Sequence, residues 1–191
     1  MQPTVIAIAG PNGAGKTTIA EPFLNELLGV DEYVNADTIA RGLSQFQPQS
    51  VAIQAGRQNL RRLDELAASR NNFAFETTLS GVIYAARIKR WKADGYLFLL
   101  TFFWLRDVSI ALERVAARVA SGGHEIPEPV VRQRYARGLT NFFELYRPIA
   151  DEWRVYDNSG REPKLVATGS GASKENIVEQ SIWSTISEAW K

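Results

Sequence analysis

Gly10-Pro11-Asn12-Gly13-Ala14-Gly15-Lys16-Thr17-Thr18 reads G-x-x-x-x-G-K-T, the pattern of a loop that wraps its backbone N–H groups around phosphates. What flanks it decides the fold. Thr4-Val5-Ile6-Ala7-Ile8-Ala9 before it is short, apolar and β-branched and stops at a glycine, as a strand buried in a parallel sheet does. After it, apolar residues at Ile19, Phe23, Leu24, Leu27 and Leu28 recur at helical spacing. The order is strand, loop, helix. The glycines permit a sharp turn that brings amides close to an anion. The helix start adds unpaired N–H donors and the positive end of its dipole. Gly10, Asn12, Gly13, Ala14, Gly15, Lys16, Thr17 and Thr18 are therefore the candidate ATP-binding residues. Lys16 supplies a point charge for the outer phosphates and Thr17 a hydroxyl for Mg²⁺.

The 191 residues suit one compact domain carrying a small lid. A formal net charge of +1 gives no global pointer to nucleic acid or to a membrane surface. The absence of cysteine excludes disulfide scaffolds, cysteine nucleophiles and thiolate metal sites, and fits a reducing cytoplasm. The first apolar run leads straight into the phosphate loop and leaves no room for a signal peptide. The longest apolar run, Leu97 to Leu105, is too short to span a bilayer and reads as a central strand.

Strands are expected at Tyr33–Asn35, Phe73–Glu76, Leu97–Leu105 and Arg154–Ser159, with Lys164–Thr168 as an edge strand. Helices are expected at Thr38–Leu43, Gln49–Ser69, Val108–Val119 and Val130–Leu145. A further one runs to Ala93 from a cap at Ser80, and a closing amphipathic helix spans about 175–190. Gly29 and Asp31 end the first helix, and Asp107 caps the one after the long strand. Such alternation implies an α/β P-loop NTPase/kinase core: a mostly parallel sheet with helices on both faces. Ligands bind at the carboxyl ends of such strands, which makes the strand ends the places to look for chemistry.

Asp37 follows the second strand on the same sheet edge as the P-loop. A carboxylate there can take a proton from a hydroxyl attacking the γ-phosphate, or hold Mg²⁺ through water; its other role is to cap the helix at Thr38-Ile39-Ala40. Asn35 precedes it. Glu76 ends a strand of phenylalanines, with Thr77 and Thr78 behind it. Asn35, Glu76 and Thr78 are the candidate substrate-side residues, with water-mediated Mg²⁺ contact as a second role for Glu76. Arg114 and Arg118 share one helix face, and Arg132, Arg134 and Arg137 lie beyond Gly122-Gly123-His124. This glycine- and proline-bounded segment, about 118–137, reads as a lid whose arginines offset charge on a transferring phosphoryl group. Arg118 and Arg134, nearest the loop, are the expected pair. His124 is the single histidine and has no metal-ligand spacing around it. Ser121-Gly122-Gly123-His124 ends a helix where an ABC-transporter signature starts one, and no N-K-x-D guanine-reading motif occurs. Tyr135 and Phe142 among the arginines are what any lid helix carries on its core side, so they do not point to nucleic acid.

Taken together, P-N-G-A-G-K-T-T, V-N-A-D at Val34–Asp37 and F-E-T-T-L-S-G at Phe75–Gly81 resemble the zeta-toxin-like P-loop kinases. The stretch Arg114 to Pro127, R-Q-R-Y at Arg132–Tyr135 and Y-D-N-S-G at Tyr156–Gly160 are similar to its short bacterial branch. The resemblance covers the chain to about Thr168. It implies a P-loop kinase fold and ATP-dependent phosphorylation of a hydroxyl, best known on the sugar of UDP-N-acetylglucosamine. It implies that Lys16 and Thr17 serve phosphate and Mg²⁺, that Asp37 is the base, and that Glu76 and Thr78 are on the substrate side. Arg118 and one of Arg132 or Arg134 would clamp phosphate. An antitoxin protein is the partner it implies.

The expected function is thus a cytoplasmic small-molecule kinase using MgATP, with Asp37, Lys16, Arg118 and Arg134 as its catalytic set. The alternatives are a non-catalytic nucleotide switch, and a nucleotide or antibiotic phosphotransferase on the same layout. An exposed apolar patch around Trp183 and Trp190 would favour the switch. A flat aromatic slot between Asp37 and Glu76 would favour a base as acceptor, and a deeper polar one a sugar.

Overall fold

The structure is a computed structural model and describes residues 2–20, 30, 32–44, 48–123 and 125–190. The expected positions Phe23, Leu24, Leu27, Leu28, Gly29, Asp31 and His124 lie outside the described residues.

Strand β1 (Thr4–Ala9) shows how the sequence builds three layers. Successive side chains of a strand point to opposite faces. Val5, Ala7 and Ala9 accordingly join one apolar core and Ile6 and Ile8 the other. A strand with apolar residues on both faces needs cover on both. β2 (Glu32–Val34), β3 (Phe73–Thr77), β4 (Leu97–Trp104) and β5 (Glu152–Asp157) lie parallel with it. β6 (Lys164–Ser170) and β7 (Lys174–Ile177) add antiparallel. The order is β2-β3-β1-β4-β5-β6-β7, so β1 sits between β3 and β4, and its following loop opens at the middle of the sheet.

The helices divide between the faces. The helix α1, described over 16–20, and α5 (Val108–Ala120) cover one face through Ala20, Ala111 and Val115. The other is covered by α3 (Ala52–Ala68), α4 (Ile83–Ala93) and α7 (Gln180–Trp190), through Leu63, Leu66, Ile88, Trp91, Trp183 and Ile186. α2 (Ala36–Leu43) packs on α3.

α6 (Glu128–Asn141) does something different. Its Val131 belongs to the core of Ile6 and Ile8, and its Leu139 to that of Val5, Ala7 and Ala9. Between them it touches one strand end after another. Arg134 reaches Asn12 after β1, Tyr135 donates to the Leu105 carbonyl after β4, and Asn141 to the Leu79 carbonyl after β3. α6 therefore crosses over the carboxyl ends of the central strands. Gly138 makes the close pass possible, since a Cβ there would stand 2.5 Å from the Thr78 carbonyl oxygen. The expected helix end at Leu145 is replaced by a π-helical turn at Phe142–Tyr146, which turns Phe142, Phe143 and Tyr146 all inward.

Three expectations are corrected here. The closing helix does not begin at 175: Lys174–Ile177 is β7, and α7 starts at Gln180. β6 would otherwise leave a row of unpaired backbone groups, and β7 pairs with it before Val178 and Glu179 both donate to the Val166 carbonyl. Lys164–Thr168 is for the same reason not the sheet edge. Ser80 does not cap α4; its hydroxyl shares a 2.8 Å hydrogen bond with that of Thr78. Trp183 is buried and stacks on Trp153, while Trp190 stacks on Phe143 and stays 36 % exposed.

Candidate active site

The P-loop leaves β1 at the middle of the sheet, and the Gly10 amide donates to the Thr77 carbonyl at the end of β3. Gly10, Gly13 and Gly15 all have positive φ, at 142°, 76° and 76°, a region that other residues enter at a cost. Lys16 is 5 % exposed. Its ammonium donates to the Pro11 carbonyl at 2.9 Å and faces Glu76 Oε1 at 3.6 Å. Burial pulls its pKa below the ordinary lysine value of 10.5; the charges of Glu76 and Asp37 oppose this, and that of Arg118 adds to it. Arg118 and Asp37 thus both lie within electrostatic reach of the ammonium.

Glu76 is the hub of the site. It stands on β3, between β1 and β2, and pairs in register with Ile8. From there one carboxylate oxygen reaches both neighbours. Oε2 accepts from Thr17 Oγ1 at 2.8 Å, from the Tyr33 hydroxyl at 2.8 Å and from Asn35 Nδ2 at 2.7 Å. Hydrogen bonds to an ionised acceptor are the strong ones. Burial, the Glu76 charge and the hydrogen bond to it all push the Tyr33 phenol pKa up, so Tyr33 remains a donor.

The capping question around Asp37 is settled by its neighbour. Asn35 Oδ1 accepts from the amides of Asp37 (2.8 Å) and Thr38 (3.4 Å), so Asn35 is the N-cap of α2. Asp37 sits in the first turn, exposed. Among the described residues its carboxylate makes no hydrogen bond or ion pair. It therefore stays available to a ligand, on the sheet edge that carries Lys16 and Glu76. Asn35 itself is buried, and both ends of its amide are used, one on the cap and one on Glu76. Thr78 follows at the same edge, half-buried, with its hydroxyl on Ser80.

The arginines separate by contact. Arg134 Nη1 donates to Asn12 Oδ1 at 3.4 Å. Arg132 instead spends its guanidinium on Glu128, one turn back on α6. Arg137 is exposed. Arg114 donates to four carbonyls, those of Gly13, Asn158, Ser159 and Gly160. It is therefore an anchor and no part of a lid. Sequence reasoning missed Tyr33 and Asn158. Asn158 directly follows β5, so the strand-end rule could have found it; nothing marks Tyr33 apart from any strand tyrosine.

The donor set fits Mg²⁺. The Thr17 hydroxyl and the Glu76 carboxylate meet at 2.8 Å and are hard oxygen ligands of the kind Mg²⁺ takes. Among the described residues no three His, Cys, Asp or Glu side chains cluster. That suits an ion held by one or two protein oxygens and by substrate phosphates. No helix among the described residues is long and apolar enough to cross a membrane.

Comparison with known proteins bears on the fold and the family. An uncharacterized protein of Haemophilus influenzae is 33 % identical over 135 residues, 71 % of this chain and 94 % of its own. The structure of AvrRxo1-ORF1:-ORF2 with ATP superposes with a TM-score of 0.78 at 21 % identity, over all of this chain and 65 % of that one. This chain thus spans just under two thirds of that neighbour's length. A structure from the PezAT chromosomal toxin–antitoxin system of Streptococcus pneumoniae gives 0.63 at 18 % identity, over 98 % of this chain and 86 % of that one. At these identities the likeness establishes the fold, that of P-loop kinases. The family model for Zeta toxin matches residues 1–165, and on that match the chain belongs to the zeta-toxin family.

Proposed function

We propose that the chain is an ATP-dependent phosphotransferase acting on a hydroxyl of a small polar molecule. Asp37 accepts the proton of that hydroxyl. The freed oxygen bonds to the γ-phosphorus of ATP, the bond from that phosphorus to the β-bridging oxygen breaks, and ADP leaves. Lys16, Arg118 and Arg134 offset charge on the transferring group. Thr17 and Glu76 would hold Mg²⁺, which supplies charge neutralisation at the phosphates when bound. Asn35 keeps Glu76 in place, and Thr78 lines the acceptor side. The observation that carries this reading is the Asp37 carboxylate, relieved of capping by Asn35 and left without a protein partner among the described residues beside the P-loop.

Two points support a polar acceptor over an aromatic base. Asp37 follows Asn35, which hydrogen-bonds Glu76 together with Thr17 and the Tyr33 hydroxyl, and the sugar of UDP-N-acetylglucosamine is the first candidate from the family. For a switch read by a partner, Trp183 is buried and unavailable, while Trp190 is 36 % exposed. An antitoxin partner remains part of the proposal, supported by the likeness to the PezAT system. The direct test incubates the protein with labelled ATP, UDP-N-acetylglucosamine and a metabolite extract, and identifies new phosphoesters by mass. A labelled phosphoester is the expected product. Release of inorganic phosphate alone, at a rate no acceptor changes, would favour the switch.

A pH effect follows from Lys16. Its pKa is lowered in the free protein, and a bound triphosphate would raise it again. Binding of MgATP should therefore take up protons, increasingly as pH rises toward 10.5, the ordinary lysine value. Calorimetry in buffers of different ionisation enthalpy, above about pH 8 where phosphate is fully ionised, reads this directly. A binding enthalpy independent of buffer across that range would count against Lys16 as the phosphate contact.

A further inference from the structure

The P-loop is held from behind by two side chains that belong to neither its strand nor its helix. Asn158, 6 % exposed, donates its Nδ2 to the Ala14 carbonyl at 2.8 Å. Arg114, on α5, donates Nη1 to the Gly13 carbonyl at 3.3 Å and to the Asn158 carbonyl at 2.9 Å, and Nη2 to the carbonyls of Ser159 and Gly160 at 3.3 and 3.1 Å. The turn that carries Asn158 is itself fixed. Asp157 Oδ1 accepts from the Ser159 amide at 2.9 Å, and the Ser159 hydroxyl accepts from the Arg106 amide at 2.8 Å. The fit is close, since a Cβ on Gly15 would stand 2.8 Å from Asn158 Nδ2.

The consequence follows from peptide geometry. A trans peptide points its carbonyl and its N–H in opposite directions. Fixing the Ala14 carbonyl on Asn158 therefore directs the Gly15 N–H to the other side of the loop. Arg114 adds a second effect. Among the described residues its hydrogen bonds all go to carbonyls and none to a carboxylate, so its positive charge stands behind the loop without an acidic partner there. It also lies one helical turn before Arg118 on α5. Tying α5 to the P-loop at Arg114 thus sets where Arg118 stands relative to Lys16.

We propose that Arg114 and Asn158 are positioning residues of the phosphate cradle: they orient the Ala14–Gly15 peptide and dock α5, and with it Arg118, against the P-loop. This rests on the reading of the P-loop as a triphosphate site and adds the residues that shape it. Neither touches the transferring group.

The test uses Asn158→Ala, Asn158→Asp, Arg114→Gln and Arg114→Lys in the full chain. The readouts are hydrogen exchange of the ligand-free protein and calorimetric binding of MgATP and of inorganic tripolyphosphate. Amides within residues 10–18 should exchange faster in each variant while those of β4 and β6 keep their protection. MgATP and tripolyphosphate should both bind about tenfold more weakly, the equivalent of one lost hydrogen bond at about 1.4 kcal/mol. Asn158→Asp, which cannot donate and brings a negative charge, should bind more weakly than Asn158→Ala. Arg114→Lys should recover part of what Arg114→Gln loses. The KM for the acceptor should stay unchanged. Unaltered exchange in residues 10–18 together with wild-type affinity for both ligands would overturn the proposal. So would loss of protection spread evenly over β4 and β6, which is what a purely structural role gives. Failure of the kinase reading shows separately, as wild-type protein that binds MgATP and forms no phosphoester.

Discussion

Asp37→Asn should lower phosphoryl transfer by about 10²–10⁴-fold, the usual effect of removing a general base, and leave the Kd for MgATP within a factor of about two. Asparagine keeps the shape of the side chain and cannot take the proton. The exchange should also leave stability within about 0.5 kcal/mol of the parent. That combination is what the geometry dictates. The Asp37 side chain is exposed and makes no hydrogen bond or ion pair among the described residues, and the cap of α2 rests on Asn35. A residue with a structural task would lose stability along with activity. Single-turnover kinetics and a denaturant melt of the same preparation separate the two. Asn35→Ala is the control in the other direction. It removes a cap worth about 0.5–2 kcal/mol and frees Glu76, so stability and activity should fall together.

Glu76→Ala should act on both fold and function. Lys16 is 5 % exposed and faces Glu76 at 3.6 Å. Removing one partner of a buried pair typically costs about 3–5 kcal/mol, because the other charge is left uncompensated. Thr17, Tyr33 and Asn35 each lose their acceptor as well. Tyr33 and Thr17 are open enough to regain water, whereas Lys16 is not, so the ammonium sets the size of the effect. Glu76→Gln restores most of the shape and none of the charge. It should recover part of the stability and little of the Mg²⁺ dependence of MgATP binding. The denaturant midpoint and the Mg²⁺ titration of nucleotide affinity together check this. A Glu76→Ala protein with parental midpoint and parental Mg²⁺ dependence would mean that Glu76 supports neither Lys16 nor the metal.

Much of this was legible in the sequence because the signals were local. The P-loop glycines, the β-branched run before them and the Asp107 cap each act within a few residues, and Asp107 does accept from the Ser109 amide at 2.7 Å. The strand-end rule alone gathers Asn35, Asp37, Glu76 and Thr78 on one edge. What was not legible depended on which strands become neighbours. Glu76 reaches Thr17 and Tyr33 together only because β3 lies between β1 and β2. Arg114 and Arg118 look alike in sequence, one turn apart, and only the placement of the 157–160 turn makes the first an anchor. Arg132 and Arg134 differ because Glu128 stands four residues before Arg132 and the P-loop faces Arg134. The residues at 174–177 read as helical because Ile177 and Val178 continue the apolar spacing of α7. The open edge of β6 claimed them instead.

The most direct measurement follows the γ-phosphoryl label of ATP in the parent protein and in Asp37→Asn, side by side, with acceptor present. The expected result is label in a phosphoester with the parent and almost none with Asp37→Asn, both proteins binding MgATP alike. Equal phosphoester formation by the two would contradict the role of Asp37, and label found only as inorganic phosphate in both would contradict phosphoryl transfer itself.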